Sequence, residues 1–310
     1  MQEFDRPFFK QLAKNDTGQA KGKQAGIVIV KDLAGFFPQL ALPSASNFAP
    51  DIRLNAAMFD GAHQVGLANT RYQYQSWGGT RLERRLTDNL GPIRSLAKKD
   101  DLLVMERSLS DPLFYRLTLH RAGTPSFPAI LSKAAGRPWG PLDTLDPPVP
   151  ETEIAACEKD QEEQELLPFD LFDNSAALHE SRVKRIARNR AFGRRVLPLY
   201  DHRCAVCGLG HAGENIQEAE AAHIVPRGLK GADDARNGLA LCRSHHWAFD
   251  AGLFGVGADR KVVINPKAAA DARNTHLLPF DGQPIRDPSN LSLRPDLSAL
   301  EWHLKNVAGL

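Results

Sequence analysis

A chain of 310 residues with 42% hydrophobic and 25% charged content is an ordinary globular composition, with room for two domains that each bury a core. No apolar run approaches the roughly 20 residues a membrane helix needs, and the mixed-charge start Met1-Gln2-Glu3-Phe4-Asp5-Arg6 has no secretory core, so a cytoplasmic location is expected. The net charge of +2 hides an uneven distribution: residues 151–165 hold seven acidic side chains against one lysine, and residues 175–203 hold eight Lys/Arg against Glu180 and Asp201.

In chain order, residues 1–20 are polar and read as a frayed or short helical start. Gly26-Ile27-Val28-Ile29-Val30 reads as a buried strand, followed by Phe36-Phe37-Pro38 and a Pro/Ser/Asn-rich loop through Pro50. Strand-like runs recur at 52–59, 63–68, 71–77, 102–107 and 114–121, separated by Gly, Asp and Pro turns, with a helix expected near 91–98. Short strands at that spacing predict a β-rich barrel or sandwich over residues 1–133. Residues 134–174 carry Pro138, Pro141, Pro147, Pro148 and Pro150 and then the acidic run. That composition predicts a linker, which leaves residues 175–310 as a second domain.

A helix is expected from Ser175, with Leu178, Val183, Ile186, Ala187 and Val196 near helical spacing and Pro198 at its end. Its arginines suit either a solvated face or contact with phosphates. Cys204-x-x-Cys207 follows, and Cys242-x-x-His245 lies thirty-five residues beyond. Two short-spaced pairs of N/S donors are what tetrahedral Zn²⁺ prefers, and thiolates favour zinc over magnesium. A structural zinc held by Cys204, Cys207, Cys242 and His245 is therefore expected, with His211 as the competitor for the fourth place. Four cysteines, with Cys157 standing alone, do not make a disulfide scaffold.

A second donor set is interleaved with the first. Residues 218–225 read as a strand, 227–236 as a long loop, and 239–249 as a short helix. On that helix His246 and Asp250 are four apart and share a face, which suits a divalent ion with open positions for water and phosphate. His223, on the strand, is suited instead to deprotonating water at neutral pH.

The stretch Glu220-Ala-Ala-His223-Ile-Val-Pro226, Asn237-Gly-Leu-Ala-Leu-Cys242 and His245-His246 through Asp250 resembles the HNH, or ββα-metal, nuclease motif over roughly residues 197–256. The resemblance implies that His223 is the general base, that Asn237 orients the base and braces the loop, and that His246 and Asp250 hold a catalytic divalent ion such as Mg²⁺. One departure stands out. Many such nucleases carry another metal ligand directly before the base, where this chain has Ala222; Glu220, two residues earlier on the same strand face, is a candidate replacement.

The first domain, through Gly26-Ile-Val-Ile-Val, Phe36-Phe37-Pro38, Trp77-Gly78-Gly79-Thr80-Arg81-Leu82-Glu83-Arg84-Arg85-Leu86 and Lys99-Asp100-Asp101, is similar to the EcoRII-type DNA-recognition domain, a β pseudobarrel shared with plant B3 factors. In that fold two loops clasp the duplex. Here they correspond to about residues 43–50, with Ser44, Ser46 and Asn47, and 77–85. Arg81, Arg84 and Arg85 suit guanine edges or phosphates, and Glu83 suits cytosine N4.

The expected architecture is thus α+β, with a β-barrel-like DNA-recognition domain and a zinc-stabilised ββα-metal nuclease domain. The expected activity is sequence-specific endonuclease cleavage of double-stranded DNA, of restriction type, by a homodimer with no membrane association. Two alternatives are a nuclease that requires modified cytosine and a non-catalytic DNA-binding protein with a degenerate HNH module.

Overall fold

A computed structural model of the chain describes residues 4–19, 26–77, 81–109, 111–173, 181–213 and 216–310. The chain forms two compact units, Met1–Thr152 and Glu153–Leu310.

The first unit is a mixed eight-stranded sheet of β1 (Phe8–Gln11), β2 (Ile27–Ile29), β3 (Asp51–Asp60), β4 (His63–Trp77), β5 (Arg81–Leu86), β6 (Leu102–Arg107), β7 (Phe114–His120) and β8 (Trp139–Pro141). Short helices α1 (Lys31–Ala34), α2 (Gly91–Arg94) and α3 (Phe127–Ala134) accompany it. Strand order is β2-β5-β4-β3-β7-β6-β1-β8, antiparallel except for the parallel β3–β7 pair. The sheet curls toward closure: Trp139, on edge strand β8, donates its Nε1–H to Asp32 of α1, the helix that follows the other edge strand (3.0 Å). Curling inward shields edges that would otherwise present unpaired backbone. In the core Phe37 lies between the rings of Tyr72 (4.8 Å) and Tyr115 (5.0 Å), and the Tyr115 hydroxyl donates to the Phe36 carbonyl (3.0 Å).

Two local expectations change in this unit. β4 runs unbroken for 15 residues where the sequence predicts two strands with a turn at 69–70. Asn69 pairs with Asn55 across the ladder and donates its Nδ2–H to the Asn55 Oδ1 (3.1 Å), so the amide is satisfied without a turn. Residues 134–174 are also not a bare tether. β8 pairs with β1, and Glu151 is buried against the Arg107 guanidinium.

The second unit contains α4 (Glu151–Glu165, which begins in the first), α5 (Arg182–Leu199), β9 (Ala212–Gly213), β10 (Ile216–Gln217), β11 (Glu220–His223), β12 (Gly238–Leu241), α6 (Arg243–Asp250), β13 (Phe254–Val256), β14 (Val262–Ile264), α7 (Pro266–Ala269) and α8 (Leu297–Asn306). The acidic run is helical because its charges find partners. Glu158 meets Arg194 (3.8 Å), and Glu162 (3.5 Å) and Glu165 meet Arg195, while Ile154, Cys157 and Gln161 form a narrow buried stripe. The arginines of α5 are therefore partly neutralised within the protein rather than left free for phosphates. The Ser181 hydroxyl caps α5 by accepting from the Lys184 N–H (3.2 Å); the expected start at Ser175 falls outside the described residues.

The helix predicted over 239–249 is instead strand β12, a turn at Cys242, and helix α6. Leu239-Ala240-Leu241 is fully buried and pairs with β11, from Glu220↔Leu241 to His223↔Gly238. α5 packs directly on this pair: a Cβ at Gly238 would lie 2.6 Å from Val196 Cγ2 and 2.9 Å from Phe192 Cζ. α8 packs on β13 and on Phe249 of α6, with Ala299, Leu300 and His303 buried and Trp302 edge-on to Phe172 (6.4 Å). Among the described residues no helix is long and apolar enough to cross a membrane.

Candidate active site and metal centre

The turn after α5 carries Cys204 and Cys207, and the start of α6 carries Cys242 and His245. Folding brings their donor atoms within 4.8 Å of one another. His245 Nδ1 lies 3.1 Å from Cys242 Sγ and 3.6 Å from Cys204 Sγ, and Cys207 Sγ lies 4.0 Å from Cys242 Sγ. A tetrahedral ion with metal–sulfur bonds near 2.3 Å would separate its sulfurs by about 3.8 Å, so the group has the size and chemistry to hold a metal. His211 is 84% exposed beside Glu218 (3.8 Å) and takes no part in the cluster.

Electrostatics support the same reading. Burial opposes the Cys204 thiolate, but hydrogen bonds from His245 and from backbone N–H groups outweigh it and lower this thiol to about 6. Burial and the nearby Cys204 charge push Cys207 up to about 12, and burial also raises Cys242. Three crowded sulfurs resist shared ionisation unless a cation lies between them.

The second site lies on the β11–β12 pair and α6. His223, the last residue of β11, stacks on Phe192 of α5 (3.7 Å between centroids, 8° between planes). Asn237, fully buried before β12, accepts from the Val225 N–H (2.9 Å) and donates to the carbonyls of Val225 (3.2 Å) and Ala232 (2.8 Å). Its backbone carbonyl accepts from the Ile224 N–H (2.8 Å), closing the 225–236 loop at its base. Gly231 makes this closure possible, since a Cβ there would lie 1.9 Å from the Val225 carbonyl oxygen. Asn237 therefore braces the residues after His223; its side-chain bonds go to Val225 and Ala232 rather than to the His223 ring.

On α6, His246 Nε2 lies 3.5 Å from Asp250 Oδ2, as their spacing of four predicts. His246 Nδ1 lies 2.9 Å from Glu220 Oε2, and the other Glu220 oxygen accepts from Arg243 Nε (3.1 Å). Glu220 and Asp250 thus address opposite nitrogens of one ring. Ala222 is a core residue with no exposed surface. The hydrogen bond from His246 holds the Glu220 carboxyl below its ordinary value. Burial works against protonated His246, yet Glu220 and Asp250 raise it, and burial raises Asp250.

Sequence reasoning overlooked Asp233. Its Oδ1 lies 2.9 Å from His223 Nε2, and its Oδ2 lies near Arg188 Nε (3.4 Å) and Arg227 Nε (3.5 Å). The available signal was an acid four residues before Asn237 in the loop facing the base strand, but nothing periodic marks such a contact.

In the first unit, the candidate DNA-contacting residues separate. Ser44, Ser46 and Asn47 form an exposed, self-bonded turn, with the Asn47 N–H donating to Ser44 Oγ (3.1 Å). The end of this loop runs along β4, since the Phe48 carbonyl accepts from the Ser76 N–H (3.0 Å). The Arg84 guanidinium lies over the Tyr74 ring (3.8 Å). Arg85 corrects the expectation of a base-reading arginine: it is 2% exposed and paired with Glu83 (2.8 Å). Residues 83 and 85 share a strand face, and charges buried there must pair. The Arg81 side chain and residues 78–80 lie outside what is described.

A strand that ends in a half-buried histidine, a helix that presents His and Asp, and a Cys₃His group together make a candidate ββα-metal nuclease site. Residues 204–257 match the HNH endonuclease family, and residues 5–107 match the N-terminal domain of the restriction endonuclease EcoRII. Residues 204–257 are thus similar to an HNH endonuclease domain, and they follow a segment similar to the EcoRII N-terminal domain. Among solved structures, one described as a modification-dependent TagI restriction endonuclease is similar at 25% identity over 37% of this chain and 37% of that one, with a TM-score of 0.28. The chain spans little more than a third of that relative's length. A comparison with curated proteins finds no match.

Proposed function

We propose that this chain is a metal-dependent endonuclease that hydrolyses phosphodiesters of double-stranded DNA, with targeting supplied by the first unit. The observation that carries the proposal is the convergence, on one ββα frame, of a packed histidine at the end of β11 and a His–carboxylate pair on α6. In this reading His223 takes the proton of the attacking water. His246 Nε2 and Asp250 offer one nitrogen and one oxygen donor to a divalent ion, Mg²⁺ in the cell. Such an ion supplies charge stabilisation to the phosphate and the departing 3′ oxygen. Glu220, on the opposite ring nitrogen, orients His246 rather than ligating, as carboxylates beside metal-bound histidines commonly do. The Cys₃His group takes Zn²⁺, whose thiolate preference matches the donor set.

The test is digestion of methylated and unmethylated DNA with Mg²⁺ by wild type, His223→Ala and Asp250→Ala. Cleavage by wild type with a loss of at least about 10²-fold in both variants is expected. Full activity in His223→Ala would overturn the base assignment, and inactivity of wild type on every substrate would favour a binding protein.

A further inference from the structure

The base itself is held by a device that the HNH motif residues do not include. A histidine that takes a proton from water must offer one unprotonated nitrogen at a fixed angle, so something must hold its other nitrogen and its plane. Here the plane is fixed by Phe192, against which the His223 ring lies nearly parallel. The remaining freedom is rotation within that plane and the choice of tautomer.

Building on the nuclease reading, we propose that Asp233 is a positioning residue for His223: its carboxylate accepts the Nε2–H, fixes the ring rotation, and reserves Nδ1 for the attacking water. The contact is 2.9 Å, and Asp233 is only 5% exposed, so water competes little for it. The carboxylate stays ionised. Burial alone would protonate it, but the hydrogen bond from His223 and the charges of Arg227 and Arg188 hold it below its ordinary range.

The loop that carries Asp233 is itself clamped. Arg227 bonds the Gly231 carbonyl (2.7 Å) and Asp173 Oδ2 (2.7 Å). The Asp173 N–H donates to the Lys230 carbonyl (2.8 Å), and Phe172 bridges Gly231. Asn237 fastens Ala232 from beneath. An acid whose preceding backbone is fastened at Lys230, Gly231 and Ala232 is suited to positioning; an acid in a loose loop would not be.

The test reads the tautomer directly. In ¹⁵N-histidine NMR of the full wild-type chain, with the His223 signal identified by its loss in His223→Ala, an Nε2–H tautomer is expected; an Nδ1–H tautomer overturns the proposal without any activity assay. In Asp233→Asn the amide can donate to Nε2 and favour the wrong tautomer, so kcat on cleaved DNA should fall about 10²-fold with KM within about 2-fold of wild type. Asp233→Glu should recover part of that loss, and it stands in if the Asn variant does not fold. Wild-type kcat in Asp233→Asn, alongside an inert His223→Ala, overturns this inference alone. Full activity in His223→Ala overturns the base assignment and the catalytic half of this inference together.

Discussion

Asn237 shows how one side chain can hold a long loop closed at its base. It is fully buried, and its amide satisfies one backbone N–H and two carbonyls across the loop base. Replacing it with alanine strands those groups without water, and each unsatisfied group costs about 1–3 kcal/mol. Asn237→Ala is therefore expected to destabilise the second unit by at least about 3 kcal/mol, read as a lower urea midpoint, and to abolish cleavage. Loss of cleavage with no change in stability would instead give Asn237 a direct chemical role. Its place between His223 and His246 is marked in the sequence by the resemblance to the HNH motif. Asp233 is not, because a contact between a strand residue and a loop ten residues on leaves no period to read. Arg85 misleads for the opposite reason: an arginine in a basic run reads as exposed, and only the strand alternation with Glu83 reveals that it is buried.

At the scale of elements, sequence pattern gives the type of most segments and misreads those whose character is set by a partner. Leu239-Ala240-Leu241 is short and apolar, so helix and strand are indistinguishable from period alone; pairing with β11 decides for strand. The acidic run reads as a linker because its apolar content is low, and α5 decides for helix through Arg194 and Arg195. The paired cysteines are legible because ligand spacing is a local property. Cys242 and His245 lie at the first turn of α6, so a metal held there would tie the start of this helix to the turn after α5. Chelation is expected to lower the thermal transition of the second unit while leaving that of the first unchanged, seen as the shift of one calorimetric peak.

α8 adds a pH dependence. His303 stacks on Phe249 of α6 (3.6 Å between centroids, 2° between planes), donates Nε2–H to the Phe249 carbonyl (3.2 Å), and is lowered by burial to about 4. The folded state keeps this ring neutral, while the unfolded chain protonates it near its ordinary value of about 6.5. The unfolded state thus binds more protons between about pH 6.5 and 4. The contribution is present above that window and is lost as pH falls through it, on the order of 3 kcal/mol in total. His303→Phe keeps the stack and removes the titration. Its urea midpoint should fall less than that of wild type between pH 7 and pH 4.5, and an equal fall in both proteins would remove His303 as the cause.

At the scale of the whole molecule, the proposed function constrains how a duplex is cut. In that reading each chain brings one β11–α6 site, which addresses one scissile phosphate at a time. The two strands of a duplex run in opposite directions, so equivalent cuts in both need either two copies related by a two-fold axis or one copy that releases and rebinds in reverse. These routes differ kinetically. If two copies act together, supercoiled plasmid converts to linear product with little nicked intermediate once protein exceeds the dimer dissociation constant, and the rate of linearisation rises with the square of concentration below it. If one copy acts twice, nicked circle accumulates at every concentration and its decay is first order in protein. We expect the two-copy pattern, because in the proposed reading one active site meets only one of two antiparallel strands in each binding event. A concentration series with nicked and linear products resolved on one gel decides it: nicked intermediate that persists at saturating protein would show that one chain cuts each strand in turn.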